Sequence, residues 1–86
     1  MDATQKAQLK RTIEKLIGRG ITDAELNGII MRYARSVKTG EDRLVESIAN
    51  ETRLPEFAVR TKLAAADDTN RVKKDIVDIL NNGTGN

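Results

Sequence analysis

Wherever apolar residues recur in this chain, they recur at the spacing of a helix, and nowhere do they alternate as a strand requires. Leu9, Ile13, Leu16 and Ile17 fall at i, i+4, i+7 and i+8, one face of an α-helix. That helix is expected to begin near Ala3 or Thr4 and to stop at Gly18-Arg19-Gly20, where glycine accepts a left-handed conformation. A second helix opens with a capping box, Thr22 three residues before Glu25. Leu26, Ile29, Ile30, Tyr33 and Val37 then supply its buried face, and Thr39-Gly40 ends it. Gly28 inside this helix costs roughly 1 kcal/mol against alanine, and the reading is close approach by a neighbouring helix.

Residues 41–50 carry Leu44, Val45, Ile48 and Ala49 at helical spacing, with Glu41 and Asp42 favouring a helix start through the dipole. Pro55 must open a new helix, because inside one it removes a hydrogen bond and clashes. Thr52, Arg53 and Leu54 are therefore expected as a tight turn, and Phe57, Ala58, Val59, Leu63 and Ala64 as the apolar part of the fourth helix. Asp67-Asp68-Thr69-Asn70 breaks the pattern and supplies cap candidates. Val72, Ile76, Ile79 and Leu80 mark a fifth helix. The expectation is an all-α bundle of about five short helices, one domain over residues 1–80, with a flexible tail over 81–86. With Tyr33 and Phe57 the only aromatics, the core rests on Ile, Leu and Val, and a core this small makes a homodimer plausible.

Composition narrows the chemistry. In 86 residues there is no cysteine, histidine or tryptophan, which removes disulfides, thiolate and imidazole metal sites and the usual general base. Ser36 and Ser47 lack a base to activate them, and Asp67-Asp68 lacks the spacing and glycine of a calcium loop and reads as capping. Gly18-Arg19-Gly20 follows a helix and lacks the strand context of a phosphate loop. Tyr33 on an apolar face reads as core. The chain is expected to be a binding module without catalytic residues, metal or cofactor. The start, Met1 to Lys6, is polar, no segment nears the roughly 20 apolar residues of a membrane span, and a cytoplasmic protein is the expectation. The two sequons, at Asn50 and Asn82, then read as chance matches.

One stretch carries a mechanism. Residues 45–63, VESIANETRLPEFAVRTKL, place Ile48-Ala49 in a first helix, with Ala49 small enough for close packing. An apolar Leu54 ends the turn, and Ala58-Val59 and Leu63 sit where a second helix would pack on the first. In these respects the stretch resembles the helix-turn-helix DNA-binding class. It departs where Arg53 stands in place of the usual turn glycine and Thr52 in place of an apolar residue, so the turn is expected to adjust its shape. The resemblance implies a small DNA-binding protein, a transcriptional regulator or a phage- or plasmid-type accessory factor, with the helix of 55–65 in the major groove. Arg60, Thr61, Lys62 and Glu56 are then the base-contact candidates, Arg60 foremost because its planar fork can grip guanine.

Affinity for DNA comes largely from phosphates. Residues 1–40 hold eight basic and four acidic residues, while 41–86 hold seven and nine. The phosphate-contact candidates are accordingly Lys6, Lys10, Arg11 and Lys15 on the first helix, with Arg53 at the turn, and Arg32 and Arg35 as extensions of that patch. The competing expectation is a helical protein-interaction module, adaptor or inhibitor, whose partner meets an exposed apolar patch of Leu54 and Phe57.

Overall fold

A computed structural model describes residues 3–84. Five helices follow one another: α1 (Ala3–Ile17), α2 (Asp23–Lys38), α3 (Leu44–Thr52), α4 (Glu56–Ala66) and α5 (Thr69–Thr84), and no strand occurs among the described residues. The boundaries follow local chemistry. Gly18, at φ 75°, ends α1, and Gly40, at φ 81°, follows α2. At the start of α2 the Thr22 hydroxyl accepts the Glu25 amide at 3.0 Å while the Glu25 carboxylate accepts the Thr22 amide at 2.8 Å. Asp67, at φ 55°, closes α4, and the Asp68 carbonyl accepts the Val72 amide at the start of α5.

The helices share one core. Leu9, Ile13 and Ile17 of α1 meet Leu26, Ile29, Ile30 and Tyr33 of α2, Leu44, Ile48 and Ala49 of α3, Val59 and Leu63 of α4, and Val72, Ile76 and Ile79 of α5. Each fully buried Ile, Leu or Val contributes about 1.5–3 kcal/mol of transfer free energy. The tightest helix pair is α2 with α3; α1 lies against α5 and α4, and α3 packs on α4. A radius of gyration of 11.9 Å matches a single packed unit of this length.

Three expectations shift. Val37 continues the inner face of α2 by spacing yet is 47% exposed, because periodicity fixes a direction and not how far the packing partner extends. Ser36 is buried beside it, its hydroxyl donating to the Tyr33 carbonyl at 2.7 Å and accepting the Arg43 amide at 3.3 Å. The third helix starts at Leu44 rather than near Glu41, which leaves Glu41 to pair with Arg43 and Asp42 to pair with Lys73 of α5 at 2.5 Å. Finally, α5 runs to Thr84, so residues 81–84 of the expected tail have helical backbone, and 85–86 lie outside the described residues. No helix among the described residues is long and apolar enough to cross a membrane.

Candidate nucleic-acid interface

The turn between α3 and α4 keeps a left-handed shape without glycine. Arg53 itself sits at φ 60° and ψ 33°, and the Leu54 amide reaches back to the Ala49 carbonyl at 3.2 Å, closing α3. The expectation that arginine would force another turn is therefore corrected: the conformation is retained and Arg53 carries the strain. Thr52, at the position where an apolar residue was expected, is buried and donates its hydroxyl to the Ile48 carbonyl at 2.7 Å, so its polarity is satisfied within its own helix. A guanidinium nitrogen of Arg19, from the α1–α2 loop, donates to the Thr52 carbonyl at 2.6 Å. Pro55, with φ −63°, precedes α4, and its carbonyl accepts the amides of Ala58 and Val59. Ile48, Ala49 and Val59 are buried where the two helices pack, and Leu54 is half-buried against the core.

α4 gives the core only Val59 and Leu63. At about 100° per residue, Phe57, Thr61 and Ala64 then project roughly opposite to them. All three are exposed, Phe57 to 70%. The Thr61 hydroxyl donates back to the Phe57 carbonyl at 2.8 Å, which leaves its methyl and an acceptor oxygen free to meet a ligand. Arg60 lies on the flank towards α3, 3.8 Å from the Glu46 carboxylate, and Lys62 lies on the other flank, about 200° away around the helix. The four base-contact candidates thus do not form one reading surface: Thr61 faces outward, Arg60 and Glu56 sit on one flank, Lys62 on the other. The apolar patch expected of Leu54 and Phe57 also divides, since only Phe57 is exposed.

The phosphate candidates are dispersed as well. Lys6 donates to Asn27 at 2.8 Å and Lys10 pairs with Asp23 at 3.1 Å, both directed at the first half of α2. Arg11 and Lys15 line a separate groove with Asp68, just before α5, and Arg71 of α5. Arg53 is exposed at the turn and makes no ion pair among the described residues. Arg32 and Arg35 do not extend the α1 patch. They line a groove of about 330 Å³ between α2 and α3, with Arg43, Glu46, Ser47 and Asn50. Glu46 both borders this groove and pairs with Arg60, so a carboxylate stands between the groove's arginines and the cation of α4. Sequence reasoning missed this grouping; the i, i+3 pair Arg32 and Arg35 was its visible trace.

Carboxylates are interleaved among these arginines. Arg32 pairs with Glu51 at 2.5 Å and Arg43 with Glu41, while Arg35 has no ion pair among the described residues. The Glu51 carboxylate lies over Gly28, where a Cβ would stand 2.1 Å from its Oε1, so what approaches that glycine closely is the end of a side chain from α3. Nearby, burial raises the Tyr33 hydroxyl above its ordinary pKa, and the facing Asp42 carboxylate adds to the shift while Lys73 opposes it. Among the described residues no group of side chains gathers to hold a metal ion. Compared with known proteins, the chain matches no family model, no curated protein and no solved structure.

Proposed function

We propose that this chain binds double-stranded DNA, with α4 in the major groove, acting as a small regulator or accessory factor. The observation that carries the reading is the exposed side of α4: the helix anchors itself through Val59 and Leu63 alone and leaves cations on both flanks of a free outer face. A helix with its side chains is about 10–12 Å across and the major groove about 12 Å wide, so Arg60 and Lys62 fall within reach of phosphates on opposite strands. The resemblance of residues 45–63 to a helix-turn-helix supports the same placement, as does the arginine-lined groove beside α3, which offers a track for the backbone.

A second reading is favoured by one observation. Residues 41–66 hold four basic and five acidic residues, a poor balance for phosphate neutralisation, and a phenylalanine exposed to 70% suits a protein partner. Salt separates the two. In an amide NMR titration with a mixed-sequence duplex, DNA binding gives shifts at Phe57, Arg60, Thr61, Arg35 and Arg43 that fade steeply as salt is raised. A spectrum unchanged by duplex at low salt overturns the DNA reading and leaves the protein-interaction module.

A further inference from the structure

We infer that the outer face of α4 selects DNA by its thymine methyl groups, with Phe57, Thr61 and Ala64 as the reading residues. The inference rests on the DNA reading above and says what that site would recognise. The three residues follow at i, i+4 and i+7, one stripe on the side of α4 away from Val59 and Leu63. The stripe offers no free hydrogen-bond donor. Phe57 and Ala64 have no polar side-chain atom, and the Thr61 hydroxyl gives its proton to the Phe57 carbonyl at 2.8 Å, which leaves its oxygen as an acceptor only. Such a surface cannot donate to the N7 and O6 acceptors that mark guanine, and most of its area is apolar. The one apolar feature on the floor of the major groove is the thymine C5-methyl, which aliphatic and aromatic side chains recognise.

Charge bears on the occupant. Arg60 and Lys62 straddle the stripe, with Glu56 sharing the Arg60 flank and Glu46 paired with Arg60, and Arg53 is exposed at the turn that leads into it. A ligand that sets methyl groups between two lines of negative charge complements an apolar stripe between cations, and a major groove holding thymines is such a ligand. The interfacing residues missed as base readers, Phe57 and Ala64, are then the specific ones, and Arg60 and Lys62 position the helix.

The test uses the full chain. A duplex is selected from a randomised double-stranded pool, then resynthesised with deoxyuridine replacing each thymine in turn, which removes one methyl and nothing else. Binding is expected to weaken about fourfold for each contacted methyl. Phe57→Ala should erase the thymine-over-uridine preference at one position, and Thr61→Ser, which keeps the hydroxyl and deletes only the methyl, should erase it at a neighbouring one. Both side chains are exposed, and thermal melting of the variants reports that the fold is intact. A duplex that is bound equally well with uridine, or a preference that survives both substitutions, overturns the inference while the DNA reading stands. Failure to select any duplex, with Phe57→Ala instead abolishing concentration-dependent self-association, overturns both.

Discussion

Replacing Arg53 by glycine should make this protein more stable and worse at holding DNA. Arg53 occupies the left-handed region at φ 60° and ψ 33°, where a side chain with a Cβ costs roughly 1–2 kcal/mol. Glycine removes that cost but gives the unfolded chain about 0.5–1 kcal/mol more conformational entropy to lose. The side chain itself is exposed and has no ion pair among the described residues, so its loss subtracts little from the fold. The net gain expected for Arg53→Gly is about 0.5–1 kcal/mol, or a rise of about 2–8 °C in Tm for a chain this size. Urea unfolding followed by far-UV circular dichroism measures it. Arg53→Ala keeps the Cβ and the strain, and should bring no gain; Arg53→Asn should fall between the two. Glycine no more stable than alanine would refute the reasoning, because the turn would then store no strain. With the turn geometry retained and one cation gone, duplex binding should weaken and its dependence on log salt become shallower by about one phosphate.

Three further outcomes follow from contacts around the same elements. Gly28→Ala gains about 0.8–1 kcal/mol of helix propensity but drives Glu51 off its seat and away from Arg32, an exposed pair contributing at most about 1 kcal/mol. A stability within about 0.5 kcal/mol of the parent is expected by urea unfolding, and a loss above 2 kcal/mol would mean that backbone, not a mobile carboxylate, fills that space. Glu46→Gln releases Arg60 and removes a negative charge, so duplex affinity at low salt should rise about two- to fivefold, and no rise would show that Glu46 does not screen Arg60. Tyr33 holds its proton more tightly folded than unfolded, so its contribution is complete below about pH 10 and declines as pH climbs through the folded value. Tyr33→Phe should flatten that alkaline decline in the urea midpoint, and parallel declines in parent and variant would assign it to other groups.

The helices were legible because each buries a stripe that repeats every three or four residues. Leu9, Ile13 and Ile17, or Val72, Ile76 and Ile79, can be read from spacing alone, and Thr22 with Glu25 marks a start by chemistry. Phe57 illustrates a rule that hydrophobicity hides: it stands two residues before Val59, about 200° around the helix, so burying Val59 turns Phe57 out. The charged surface was less legible. Arg32 meets Glu51 nineteen residues away and Lys73 meets Asp42 thirty-one away, pairings that exist only once the helices have docked. For the same reason the lysines of α1, a convincing stripe on paper, turn out to be divided between two grooves. The left-handed Arg53 is a case in which tertiary packing overrides the preference of the residue.

The Arg19 guanidinium reaches thirty-three residues along the chain to the last carbonyl of α3, and it also pairs with Glu25 at 3.4 Å. The end of α3 is therefore completed by a loop that precedes it in sequence by more than a helix. A peptide of residues 41–66 made alone would lack this donor as well as the core surface of α1 and α2, and should populate its turn only in part. In the whole chain the same link should couple opening of the turn to opening of the first loop. Their amides should exchange with deuterium at a common rate, and a protease that cuts at Gly18 or Gly20 should loosen the approach to α4 at the opposite end of the path.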